Sequence, residues 1–153
     1  MLINRSDFPD KKLEKLISFC CPKNFQSKLC DIIVKNCRSG PYNCHYYYGG
    51  YNIPKIILRF TQDKKWFPLY FKLRKDKIAR TGYVGEYNLI DLDSCLVFFT
   101  AHEIRHDLQH ADDKMKFWLY HDMKSAETDA DKYALRKLRK YQKLKSFGIN
   151  IFK

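Results

Sequence analysis

His102 and His106 stand four residues apart in the run His102-Glu103-Ile104-Arg105-His106. On a helix that spacing stacks both imidazoles on one face, one turn apart, where both can bind one tetrahedral Zn²⁺. Glu103 follows the first histidine directly, so it lies beside such a metal without pointing straight at it. A carboxylate there can take a proton from a metal-bound water and later hand it to a leaving amine. H-E-x-x-H with this division of labour predicts zinc-dependent peptide hydrolysis, with Glu103 as the catalytic residue. The residues before it, Cys95 to Thr100, are strongly apolar, so the helix is expected in the core. Buried imidazoles and carboxylates need partners.

A catalytic zinc takes a third protein ligand and keeps one position open. Downstream, Glu127 and Asp131 share one face of a predicted helix by their i, i+4 spacing. Glu127 can bind the metal. Asp131 can then accept a hydrogen bond from the free ring nitrogen of His102 or His106, fixing its tautomer and orientation. Ala126, Ala130 and Ala134 are small and would let the two helices approach closely. An oxyanion donor is also required, because charge develops on the carbonyl oxygen under attack. Tyr83, Tyr87, Tyr120 and His121 are all candidates, and the residues alone do not choose among them.

His102-Glu103-x-x-His106 followed by Glu127-x-x-x-Asp131 resembles the gluzincin signature of thermolysin-like peptidases. The resemblance implies that Glu127 is the third ligand and that Asp131 orients a ligand histidine. The string from Glu127 to Ala134 also resembles the E-x-x-A-[DN]-x-[FY]-A segment of ImmA/IrrE-type metallopeptidases and minimal soluble gluzincin domains. Arg105 stands where ImmA-type proteins often carry Gly. The resemblance runs from Gly85 to Leu138 and implies a zincin-like fold, in which an antiparallel edge strand binds extended substrate. Glu86 to Leu92, just before the metal helix, is the expected strand.

Two other third ligands come into view through related families. Asp112 occupies the slot of the metzincin ligand, but Gln109 replaces the Gly at which that chain turns. On a continuing helix Asp112 would lie roughly 280° around from His102. His121 is the alternative suggested by SprT-like proteases, which act on proteins crosslinked to DNA. Asp122 follows it where those proteins carry Gly. His110 continues the histidine face but lies a turn too far, and is expected at the surface.

The elements that must position these groups read as an α+β chain. Asp10 to Phe19 has helical apolar spacing, and Pro22 stops it. Asn24 can cap a second helix with Phe25, Leu29, Ile32 and Ile33 on one face. Strands are expected at Cys44 to Tyr48, Lys55 to Phe60, Phe67 to Leu73 and Glu86 to Leu92. Asp93 or Ser94 can cap the metal helix, which runs to about Ala111. A polar connection, Asp112 to His121, leads to a last helix capped by Ser125 and closed by Gly148. The expected architecture is one zincin-like domain over residues 1–153. It comprises a helical N-terminal part (1–40), a small antiparallel or mixed sheet (41–93), and the active-site and C-terminal helices (94–147).

Composition bounds the rest. A chain of 153 residues that is 45% hydrophobic can bury a core without staples. No apolar run approaches the ~20 residues needed to cross a bilayer. Met1 to Asp10 carries charges and a Pro where a signal peptide has an apolar stretch, so the expected location is cytoplasmic. The six cysteines would then stay reduced. Cys30, Cys37 and Cys44 are evenly spaced, but free cysteine more often acts as a small buried hydrophobe than as a ligand. The net charge of +12 admits nucleic acid as a partner. A basic nucleic-acid-binding protein without catalysis is therefore the competing function, and a metal-binding regulator the third. The basic residues of the last helix, Lys132 to Lys145, read as spread around it. The apolar tail from Gly148 to Lys153 can pair with the edge strand and hold the enzyme latent, or pack on its own core.

Overall fold

Alternating apolar residues build the sheet. Ile32 and Val34 are buried on one face of their strand, and Ile56, Leu58 and Phe60 repeat the pattern on the next. The computed structural model describes residues 1–47, 54–72, 86–112 and 123–152. In chain order these form β1 (Leu2–Arg5), α1 (Asp10–Cys20), a 3₁₀ helix (Lys23–Lys28), β2 (Asp31–Asn36), β3 (Tyr42–Tyr47) and β4 (Lys55–Phe60). A second 3₁₀ turn (Lys64–Trp66), β5 (Leu69–Lys72), β6 (Glu86–Leu89), α2 (Leu92–Ala111) and α3 (Met123–Ser146) follow. The class is α+β, with three α-helices and a small mixed sheet among the described residues.

The main sheet has four strands in the order β1-β2-β4-β3. β1, β2 and β4 are mutually parallel, and β3 runs antiparallel to β4 along one edge. α1 makes the crossover that parallel β1 and β2 require. The register sets Ile32 beside Ile56 and Val34 beside Leu58, so the buried side chains share one face. Leu13, Leu16 and Cys20 of α1 pack into the same core, with Leu96, Phe98 and Ile104 of α2 and Leu138 and Tyr141 of α3. β5 and β6 form a separate antiparallel pair, and Tyr87 stacks on Phe98 beneath it.

The expected second helix is not formed. Lys23–Lys28 is a 3₁₀ helix, and Ile32, Ile33 and Val34 lie in β2. The helical spacing of Phe25, Leu29, Ile32 and Ile33 was coincidental. A β-branched run pairs well between two parallel neighbours, and β2 has both β1 and β4 to pair with. Residues 1–40 are thus one helix and two strands rather than a helical part. β1 itself had no periodicity to announce it. The other strands fall where expected: β4 keeps its expected bounds, β3 begins two residues earlier at Tyr42, β5 begins two residues later at Leu69, and β6 stops at Leu89 because α2 begins at Leu92.

Helix ends are tied to their neighbours. Asp91, not Asp93 or Ser94, caps α2: its carboxylate accepts the Ser94 amide at 2.8 Å. Asp91 also pairs with Lys145 of α3, while Asp93 pairs with Lys12 of α1 at 2.5 Å. The last carbonyls of α1 are satisfied from α3, Phe19 by Lys137 Nζ at 2.7 Å and Cys20 by the Tyr133 hydroxyl at 2.6 Å. Ser125 lies inside α3, which already covers Met123, so it is not the cap. At the far end Gly148 takes φ +75, and the Ile149 and Gly148 amides bond back to Leu144 and Lys145. That is a Schellman closure, and it needs a residue free of a Cβ at the left-handed position.

The tail packs on the core instead of lying along β6. Phe152 sits 5.8 Å from the Tyr141 ring, with Lys12 Nζ 5.0 Å above it. Among the described residues β6 pairs with β5 alone, so the latency reading has no strand contact to rest on. No described helix is long and apolar enough to cross a membrane.

Candidate metal centre

α2 is buried on most of its circumference because α1, the sheet and α3 all pack on it. Polar side chains on such a helix must find partners. His102, His106, Asp107 and Gln109 do so within a few turns, and Glu103 is buried beside them. Asp107 accepts the Cys30 amide at 3.1 Å and so anchors the start of β2. The others gather where α3 crosses, and Ala126, Ala130 and Ala134 line that crossing as buried small residues.

There the expected ligands meet. His102 Nε2 and His106 Nε2 lie 3.1 Å apart. Glu127 sets one oxygen 3.3 Å from His102 Nε2 and the other 3.4 Å from His106 Nε2. One ligand atom from each of the three residues lies within 4.8 Å of the others, and this is the one such His/Cys/Asp/Glu group among the described residues. Cys30, Cys37 and Cys44 form no comparable group. Asp112 is exposed, where it closes α2 through its amide, and is not in the cluster. His121, Tyr83 and Tyr120 lie outside the described residues, as does most of the expected polar connection.

Behind the ligands stand two different supports. Asp131 Oδ1 lies 3.0 Å from His102 Nδ1, an ion-pair separation without hydrogen-bond alignment: both His102 Nδ1 and the second oxygen of Asp131 are buried without a hydrogen-bond partner among the described residues. Gln109 Oε1 lies 2.9 Å from His106 Nδ1. The Gln109 amide nitrogen donates to Ala126 O at 2.9 Å and to Asp129 Oδ2 at 2.8 Å. Asp129 is held in turn by Arg105 Nε at 2.5 Å. Gln109, Asp129 and Arg105 were not read as site residues. The available signal was the i, i+3 spacing of His106 and Gln109 on a helix expected to be buried.

The electrostatics follow from this crowding. Burial works against a charged His102, but Asp131 and Glu127 outweigh it and lift the ring to about 10. Burial likewise opposes ionisation of Glu127, yet its two histidine neighbours hold it well below the usual carboxylate range. Glu103 is pushed up by burial, with His102 and His106 pulling the other way. Tyr87 is buried against Phe98, and burial, then Asp131, push its phenol up. It is part of the hydrophobic core.

No family model, curated protein or solved structure matches the chain. The functional reading therefore rests on the geometry of this cluster and on the strand beside it. That strand is β3, not β6. Tyr42 stacks on Phe99 at 3.6 Å, and Tyr46 lies 6.3 Å from the His106 ring and 6.1 Å from that of His110. β3 therefore runs along α2 past the histidines. Its side chains alternate, with Tyr42, Cys44 and Tyr46 turned inward and Asn43, His45 and Tyr47 exposed.

Proposed function

We propose that the chain is a zinc-dependent peptidase of zincin-like architecture, with His102, His106 and Glu127 as ligands and Glu103 as general base. The observation that carries this is the set of ligand separations. Tetrahedral zinc with bonds of ~2.0–2.1 Å needs its ligand atoms roughly 3.3 Å apart. The two Nε2 atoms lie 3.1 Å apart, and Glu127 brings one oxygen to 3.3 Å from His102 Nε2 and its other oxygen to 3.4 Å from His106 Nε2, so that one atom from each residue falls within 4.8 Å of the others. Two imidazole nitrogens and one carboxylate are also the donor set that catalytic zinc takes. Zinc held there would supply Lewis acidity and make a water acidic enough to ionise near neutral pH.

The remaining steps belong to the chain's own residues. Glu103 would take the proton of the attacking water and return it to the departing amine, and its upward displacement by burial suits a group that must hold a proton between those events. Asp131 would keep the Nδ1 proton of His102 in place. β3 offers main-chain donors and acceptors along an edge that no strand covers among the described residues. An extended peptide added to that edge would pass beside His106. An antiparallel edge strand next to the metal helix supports the zincin-like reading, and β3 replaces Glu86 to Leu92 in that role.

The test is zinc content beside cleavage. Protein purified without chelators should carry one zinc per chain and cut an unstructured, quenched-fluorophore substrate. The Glu127→Ala variant should lose most of the zinc and the cleavage together. A parent that takes up no zinc overturns the reading.

A specific observation favours nucleic acid as an additional partner. The exposed positions Lys132, Arg136, Arg139, Lys140 and Lys143 of α3 are all basic. At ~100° per residue they share an arc of about 100°, turned away from Glu127 and Asp131. Among the described side chains of α3, the basic residues outside that arc are engaged, Lys137 with Phe19 O and Lys145 with Asp91. The five thus form one stripe, contrary to the sequence expectation of a scattered distribution. Phosphate contacts make binding fall with salt in proportion to their number. Changing the five to Gln should lower the slope of log K against log salt by about 2–4, with zinc content unchanged. An equal loss from five substitutions on other faces would show net charge alone at work.

A further inference from the structure

We infer that Gln109 is a positioning residue that sets His106 in its Nδ1–H tautomer, leaving Nε2 free to accept a metal before any metal arrives. This rests on the metal-site reading above. Gln109 is completely buried, one turn beyond His106 on α2. Its amide has one acceptor atom and a nitrogen with two donors. That nitrogen faces Ala126 O at 2.9 Å and Asp129 Oδ2 at 2.8 Å. A carbonyl and an ionised carboxylate only accept. Turning the amide around would aim Oε1 at both of them and leave the site with unpaired acceptors, a costly arrangement for buried groups. The orientation is therefore dictated from α3 and is not optional.

The consequence passes to the histidine. Gln109 Oε1 must face His106 Nδ1, 2.9 Å away, and as an acceptor it requires a proton there. A neutral imidazole carries one N–H. Nε2 of His106 is then the lone-pair nitrogen, and it is the atom turned toward His102 and Glu127. Arg105 completes the relay by holding Asp129 in place. The two ligand histidines are thus oriented by different chemistry, His102 by the Asp131 carboxylate and His106 by an uncharged amide whose direction a third residue fixes.

Two measurements test it, one of them in metal-free protein. Long-range ¹H–¹⁵N spectra of the apo parent, recorded where the His106 ring is neutral, should show His106 as the Nδ1–H tautomer. Chelator competition should then show zinc affinity falling ~10–100-fold in Gln109→Met, as loss of a ligand's hydrogen-bond partner does. The His106 tautomer preference should be lost in the same variant. Asp129→Asn provides a second route, because Asp129 is partly exposed and does not touch His106. An amide at that position can donate to Gln109 Oε1, which leaves Ala126 O as the one group still holding the Gln109 nitrogen, so the orientation is less strictly fixed and the Nδ1–H population should drop. A parent showing the Nε2–H tautomer, or unchanged tautomer and affinity in both variants, overturns the inference. An Nδ1–H parent that takes up no zinc would sink the metal reading while the role of Gln109 in setting the tautomer stands.

Discussion

Glu103→Gln is expected to keep its zinc and to lose about 10²–10⁴-fold in turnover, the usual contribution of a positioned general base. Glutamine fills the same volume in the same buried position, so the packing of α2 against the sheet should survive. What it removes is the ability to accept a proton. Glu103 is not among the grouped ligand atoms, so metal content should match the parent. The discriminating quantity is kcat with zinc measured in the same sample. A variant that loses zinc in step with activity would mean that Glu103 holds the metal. A variant that cleaves like the parent would remove it from the reaction, and water activation would need another base. KM should move little, since the side chain acts on the water and not on the peptide.

His106→Ala is expected to uncouple stability from zinc. Metal that binds only the folded chain stabilises it by RT ln(1 + [L]/Kd), about 4 kcal/mol at a thousandfold excess over Kd. For a domain of this size that is a rise in Tm of roughly 8–16 °C. The parent should show this rise on titration with zinc and lose it with chelator. The variant has two of three ligands and should show little of it. The apo forms should differ less, because truncation leaves Gln109 Oε1 and the Glu127 carboxylate short of one partner each. Thermal melts with zinc, with chelator and with magnesium as a control ion distinguish these cases. A parent whose Tm ignores zinc would argue that His102, His106 and Glu127 form only a buried hydrogen-bonded cluster.

Much of the site was legible before folding because its logic is local. His102 and His106 share a face by helical repetition, and so do Glu127 and Asp131, whatever surrounds them. The residue types then restrict the chemistry. The apolar run before His102 implied burial, and Gly148 implied the end of α3 because few other residues take its positive φ. The strand at Lys55–Phe60 was equally plain, since β-branched and aromatic residues clustered between turn residues suit a pleated, half-buried surface.

What only the tertiary structure decided is whatever depends on a partner distant in sequence. Ile32 and Ile33 suit a helix or a strand in isolation, and pairing to β1 and β4 settled them as strand. β3 became the edge beside the histidines because it pairs antiparallel with β4 at the end of the sheet, a place in the strand order that no local pattern encodes. Gln109 looked like a missing glycine. Its role appeared only when α3 brought Ala126 O and Asp129 within reach of its amide. The sequence by itself determined which groups can bind a metal, because their spacing lies within single helices. The crossing of α2 and α3 decided that Glu127 meets both histidines and which nitrogen of His106 faces them, because hydrogen-bond direction depends on neighbours that the chain supplies from a second helix.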